Sequence, residues 1–241
     1  MTVTVHAIPM LSDNYAWLLT DSVTGVTGLV DPAEAAPAME RLDARGQKLD
    51  FIFLTHHHAD HIGGVPELVA RYHPEVVGNG ADAARLPPLD HPVHEGALVA
   101  FGAANLRVIT TPGHTLGHIS YYIADGEILL PGDTLFSLGC GRLFEGTAAQ
   151  MFTSLAKFGD LPDNTKVCAG HEYTKANARF ALSMDPDNET LRARAKDVDT
   201  RRAQNLPTLP VTLGEERATN PFLRAKTVED FAALRRAKDN F

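Results

Sequence analysis

The chain reads as an α+β protein, with two sheets covered by outer helices and a smaller helical domain after them. Three observations carry this reading. Short β-prone runs separated by Gly-rich turns dominate up to about residue 170, and helix formers dominate after it. Strand pairs are joined by short polar turns, which favours antiparallel hairpins, and this many apolar strands need two sheets and outer helices to be buried. The charge divides at the same place: residues 1–172 carry a net −11 and residues 173–241 a net +3, together the chain's −8. The expected domains are therefore 1–172 and 173–241.

Each element follows from its pattern. Strands are expected near 3–8, 15–20, 26–30 and 51–55, alternating with helices near 33–45 and 64–72. Further strands are expected near 75–78, 97–101, 105–110, 119–124, 127–130 and 166–169, with a helix near 148–158. Thr147 and Gln150 form a capping-box pattern at the start of that helix. Asp125-Gly126, inside Y-Y-I-A-D-G-E-I-L-L, is a hairpin signal. The runs 187–204 and 227–239 look helical, and the Pro- and Gly-punctuated 205–216 between them reads as a connector.

Composition excludes several classes. An apolar fraction of 44% and a charged fraction of 22% are ordinary for a soluble protein. No run approaches the roughly 20 apolar residues of a membrane span. The N-terminal stretch lacks a basic region and an apolar core, so no secretory signal is expected and a cytoplasmic location fits. Cys140 and Cys168 have no C-x-x-C spacing, so neither a disulfide framework nor a zinc ribbon is expected. A nucleic-acid substrate would call for a broad basic surface, which the acidic first domain does not offer.

The most informative run is T-H-H-H-A-D-H at 55–61. It follows the apolar run L-D-F-I-F-L and precedes a helix entered through glycines. At an extended strand end residues i and i+2 point the same way, so His56 and His58 can share one ion. Asp60 and His61 then face a second position from the start of the next helix. His57 alternates away and is expected not to be a ligand. Three further candidates stand just beyond strand-like runs, each next to a glycine: His114 in T-P-G-H-T, Asp133 in P-G-D-T and His171 in A-G-H-E. A rigid sheet presents its side chains from such positions. His118 reads equally well as a support for a ligand or as a packed core histidine.

These motifs resemble the metallo-β-lactamase superfamily, whose signature is H-x-H-x-D-H followed by separate His, Asp and His ligands. The resemblance implies an αββα sandwich with two metals at one edge. Within that superfamily the chain is most similar to the hydroxyacylglutathione hydrolases, the glyoxalase II family. The match is carried by S-D-N-Y at 12–15, the 55–61 run, T-P-G-H-T at 111–115 and G-D-T-L-F at 132–136. It continues through G-C-G-R-L-F-E-G-T at 139–147, G-H-E-Y-T at 170–174, N-P-F-L-R at 220–224 and R-R-A-K-D at 235–239.

The resemblance implies one metal on His56, His58 and His114, a second on Asp60, His61 and His171, and Asp133 bridging both. It implies two Zn²⁺ per chain, with Fe or Mn as alternatives, and a metal-bridging hydroxide held by Asp133 with Asp60 nearby as the nucleophile. Substrate contacts map to Arg142, Phe144, Tyr173, Arg235 and Lys238. Many relatives carry Tyr at Phe144, so a hydroxyl is missing here, and Lys at Arg142, so the charge is kept. The implied reaction is hydrolysis of S-(2-hydroxyacyl)glutathione thioesters, chiefly S-D-lactoylglutathione, by a monomer with no nucleic-acid or membrane partner. The chemistry is consistent, because paired ions about 3.5–4 Å apart acidify a shared water. A thiolate, from a thiol of pKa about 8.5, also leaves without a strong general acid. A mononuclear-iron glutathione persulfide dioxygenase of the same fold is the alternative; that class lacks the long helical C-terminus.

Overall fold

The computed structural model describes residues 2–241. Strands β1 (Val3–Met10), β2 (Asn14–Asp21) and β3 (Thr27–Val30) form an antiparallel meander. Helix α1 (Ala36–Asp43) returns the chain to β4 (Phe51–Phe53), which lies parallel to β3. Helices α2 (Ala59–Ile62) and α3 (Val65–Tyr72) lead to β5 (Glu75–Asn79), and β6 (His91–Val93) completes a six-stranded sheet in sequential order.

The second sheet begins with β7 (Leu98–Phe101), β8 (Ala104–Thr110), β9 (Ile119–Ile123) and β10 (Ile128–Gly132), all antiparallel. A small hairpin, β11 (Leu135–Phe136) and β12 (Gly139–Cys140), and helix α4 (Ala148–Ala156) precede β13 (Lys166–Ala169). Helices α5 (Thr174–Met184) and α6 (Glu189–Ala203) follow. The chain then enters β14 (Val211–Thr212) and ends in α7 (Leu213–Thr219) and α8 (Val228–Asp239). The order in this sheet is β14-β13-β10-β9-β8-β7, with β13 parallel to β10.

The period of two in β2 shows why the layers form. Trp17 and Leu19 enter the core between the sheets, while Ala16 and Leu18 enter a second core with Ala38 and Leu42 of α1 and Leu68 of α3. Polar ends of buried aromatics find partners across the sandwich: Trp17 Nε1 donates to the Ala169 carbonyl at 2.9 Å, and the Tyr121 hydroxyl to that of Leu54 at 2.9 Å. Met151 and Leu155 of α4 and Phe231 of α8 join the inter-sheet core, completing the αββα arrangement.

The capping box at Thr147 and Gln150 forms as expected. The hairpin at 121–130 forms too, but the residue in the left-handed region is Glu127 (φ 50), not Gly126. The stretch 205–216 is not a simple connector. It contributes β14, which pairs with β13, and Thr212 and Glu215 cap α7. A two-residue strand exists only through its partner, and Gly214 in the first turn disguises the helix that the capping box starts. Strand β6, the β11–β12 hairpin and α5 also lack a pattern strong enough to announce them.

Candidate metal centre and substrate cavity

The seven predicted ligands converge at one edge of the sandwich. The loop after β4 and helix α2 supply His56, His58, Asp60 and His61, and the ends of β8, β10 and β13 supply His114, Asp133 and His171. Among the described residues, His56, His58 and His114 offer nitrogens within 4.8 Å of one another, and Asp60, His61 and His171 form a second such group. Between the two stands Asp133, with Oδ2 3.4 Å from Nε2 of both His114 and His171 and Oδ1 3.4 Å from His61 Nε2.

The outer ring nitrogens settle the tautomers of four of the five donor histidines. His114 Nδ1 donates to the Arg142 carbonyl at 2.8 Å. His61 Nδ1 donates to Asp31 at 3.0 Å and His171 Nδ1 to Asp13 at 2.9 Å. Thr55 gives its hydroxyl proton to Asp31 at 2.6 Å, so it accepts from His56 Nδ1 at 2.9 Å. When neutral, each of these four rings turns a bare Nε2 inward. His56 Nε2 and His114 Nε2 then face His58 Nδ1 at 3.1 and 3.0 Å, and His61 Nε2 faces His171 Nε2 at 3.3 Å. The opposed lone pairs of neutral His61 and His171 call for a cation between them, whereas His58 Nδ1 can itself donate to its neighbours. The buried Asp133 Oδ1 has no hydrogen-bond partner, so it too is left for a cation. The donor set fits divalent metals of the Zn²⁺ kind, and outer partners of this type fix ligand orientation.

Electrostatics divide the donor histidines into two sets. Burial lowers the pKa of His56, His58 and His114 and keeps these imidazoles neutral. Burial opposes ionisation of Asp133, but His61 and His171 outweigh it and hold the carboxyl well below its usual range. Burial also opposes charging of His61 and His171, yet Asp133 raises both.

Sequence reasoning missed Asp13, Asp31 and Thr55. Asp31 carries the clearest signal in the fold: it is a buried non-glycine residue at φ 51, immediately after β3. His118 acts as a support. Its Nε2 accepts from the Asp133 backbone N–H at 3.1 Å, and its Nδ1 faces the Thr111 hydroxyl at 2.9 Å. Gly170 is required by close approach, since a Cβ there would meet Asp133 Oδ1 at 2.6 Å. His57 points away from both donor groups, to Asp82 at 3.1 Å.

A cavity of about 540 Å³ opens on this edge, lined by ligands and by all five expected contact residues: Arg142, Phe144, Tyr173, Arg235 and Lys238. Phe144 is 63% exposed at the rim. The Tyr173 ring stacks on His171 at 4.5 Å. Arg142 has no acidic partner among the described residues, whereas the buried Arg235 already donates to the Cys140 carbonyl (2.8 Å) and to Asp239 (2.9 Å). Lys238 lies over the Phe180 and Phe241 rings.

This fold and this ligand set define a metallo-β-lactamase superfamily protein, and residues 12–171 match that superfamily's model. Residues 172–241 match the model of the hydroxyacylglutathione hydrolase C-terminus. A hydroxyacylglutathione hydrolase of Acidiphilium cryptum is 52% identical over 238 residues, covering 99% of this chain and 97% of that protein. That of Ruegeria pomeroyi is 49% identical over 255 residues, covering 100% of both. The chain belongs to the hydroxyacylglutathione hydrolase family. The fold also superposes on the crystal structure of the B3 metallo-β-lactamase BLEG-1 with a TM-score of 0.71 at 24% identity, covering 92% of this chain and 100% of that one.

Proposed function

We propose that this protein hydrolyses S-(2-hydroxyacyl)glutathione thioesters, chiefly S-D-lactoylglutathione to D-lactate and glutathione. This is the second step of methylglyoxal detoxification. The observation that carries the reading is the pair of donor groups joined by Asp133 and opening into a cavity bordered by cationic side chains. Residues 1–172 then form the metal-binding domain and 173–241 the substrate-binding domain. His56, His58 and His114 hold one ion and Asp60, His61 and His171 the other, with Asp133 shared and Zn²⁺ preferred over Fe or Mn. Two such ions lower the pKa of a shared water and polarise a carbonyl oxygen.

The protein's own groups do the rest. Asn14 donates to Asp60 Oδ2 at 3.1 Å and fixes that carboxylate. Arg142 and Lys238 meet the two carboxylates of the glutathione moiety. Burial raises the Tyr173 hydroxyl pKa, so it stays protonated and donates a hydrogen bond. Phe144 packs over the substrate without the hydroxyl that Tyr would supply. Arg235 holds the cavity floor through Cys140. The proposal includes a monomer acting in the cytoplasm; among the described residues no helix is long and apolar enough to cross a membrane.

The purified protein should release free thiol rapidly from S-D-lactoylglutathione and carry two metal ions per chain. One bound iron, O₂ uptake with glutathione persulfide and no thioester cleavage would establish the dioxygenase instead. The C-terminal family match and the hydrolase relatives both favour the thioesterase.

A further inference from the structure

His57 stands among the ligands but serves a different cluster. Its Nδ1 lies 3.1 Å from Asp82 Oδ2 and its Nε2 3.6 Å from Glu145 Oε1. Arg85 joins the same two carboxylates, with Nε 2.6 Å from Asp82 Oδ1 and Nη1 2.5 Å from Glu145 Oε1. Glu145 Oε2 also accepts the Leu116 backbone N–H at 2.8 Å. Asp82 is buried against Gly117, where an added Cβ would come within 2.4 Å of its carboxyl carbon. None of these residues belongs to the donor groups or lines the cavity, although the His57 ring stands 5.1 Å from that of His58.

Glu145 directly follows Phe144 and stands three residues after Arg142. The backbone of the 142–146 loop is tied to the 113–114 turn. His114 Nδ1 donates to the Arg142 carbonyl at 2.8 Å, the Phe144 and Glu145 N–H groups reach the His114 carbonyl at 3.3 and 3.4 Å, and the Gly146 N–H reaches the Gly113 carbonyl at 3.1 Å. Glu145 is the side chain that ties the loop to Arg85. The exposed Phe144 ring leans edge-on toward His58 and His114, with centroids 5.6 and 5.2 Å away. A partly exposed ion pair adds little to stability, so the Arg85–Glu145 contact matters chiefly for where it puts the loop.

We infer that Arg85 and Glu145 are positioning residues, a brace that seats Arg142 and Phe144 over the metal edge and so sets affinity for the glutathionyl part of the substrate. The inference rests on the proposed thioesterase function. Asp82 anchors Arg85, and His57 closes the cluster from the metal-binding run. A loop released by about 1 Å misplaces both contact residues at once.

Glu145→Gln, Arg85→Met and the double variant test this against wild type, by thiol release from S-D-lactoylglutathione and by calorimetric binding of glutathione. Each single variant should raise KM and weaken glutathione binding on the order of tenfold, the scale of one lost contact to a charged group. The turnover number and bound metal should change little. The double variant should be no worse than the poorer single one, because both cut one brace. Arg85→Lys, which keeps the charge without the fork, should fall between wild type and Arg85→Met even if the latter folds poorly. Unchanged KM and glutathione affinity beside an active wild type would overturn the brace alone. Additive losses, or lost metal with lost turnover, would overturn it as well. A wild type inert toward the thioester is a failure of the functional reading, and glutathione calorimetry on the same proteins still reads the brace.

Discussion

Asp31 shows how much a single side chain can decide. Its carboxylate accepts the Thr55 N–H (2.8 Å), the Thr55 hydroxyl (2.6 Å) and His61 Nδ1 (3.0 Å), and so orients His61 directly and His56 through Thr55. A carboxylate oxygen also lies within 4.8 Å of donor nitrogens of His56 and His61, and one histidine of each donor group depends on it. Asparagine tolerates the left-handed backbone at φ 51, so Asp31→Asn removes the charge without adding strain. It also offers an NH₂ where the site needs an acceptor. The expected outcome is a roughly 10- to 100-fold loss of metal affinity with the fold intact. Metal retention during chelator titration measures this, and retention equal to wild type would refute the role. In the sequence, V-D-P gives no sign of this role. The ligands themselves were legible because strand-end His and Asp residues next to glycine share one chemistry. Their supports come from separate loops and meet only in the folded chain.

Among the elements, the β11–β12 hairpin depends most on its neighbours. It follows Asp133 and leads into the loop carrying Arg142, and polar side chains of the C-terminal helices hold its tip. Asn220 donates to the Phe136 and Gly139 carbonyls (3.1 and 3.0 Å), and Asn177 to that of Ser137 (3.0 Å). The fully buried Glu216 accepts the Leu138 N–H and faces the Ser137 hydroxyl, both at 2.8 Å. Burial raises the Glu216 pKa despite these donors, so the native state holds its proton more tightly than the unfolded chain does. Its contribution is therefore greatest at acid pH and declines as pH rises from the unfolded carboxyl value through the folded one. Glutamine fits the same partners: its oxygen takes the Leu138 N–H and the Asn220 amide, which reaches Glu216 Oε2 at 2.9 Å, and its NH₂ meets Ser137 Oγ, which turns to accept. Denaturation midpoints across pH should show Glu216→Gln gaining on wild type as pH rises above the ordinary carboxyl value, and parallel curves would exclude the raised pKa. Such elements are illegible in sequence because their stability lies in long-range polar contacts, whereas β2, β9 and α4 carry their own periodicity or caps.

At the scale of the molecule, the seven ligands fall on both halves of the sandwich. Those at 56–61 leave the first sheet at β4, and His114, Asp133 and His171 leave the second at β8, β10 and β13. Bound ions would thus add a cross-link between two sheets that already meet at this edge through hydrogen bonds such as the Tyr15 N–H to the Gly170 carbonyl at 2.8 Å and the Ile119 N–H to the Thr55 carbonyl at 2.9 Å. Without ions, the inward Nε2 atoms of neutral His61 and His171 at 3.3 Å and the unpartnered Asp133 Oδ1 are left against one another. Some ligands must then protonate or move apart, and either response loosens the edge. Because the unfolded chain lacks the assembled site, metal binding adds directly to folding stability, by about 4 kcal/mol per ion at a thousandfold excess over Kd. Exhaustive chelation should therefore lower the melting temperature well beyond the effect of any single surface substitution. Added Zn²⁺ should restore it in a concentration-dependent way. Hydrogen exchange should locate the loss of protection at 54–62, 111–118, 131–134 and 169–173, with the helix-side core of α1 and α3 unaffected. Equal melting of the stripped and loaded protein would mean that the ions serve chemistry alone and the two sheets hold this edge by packing.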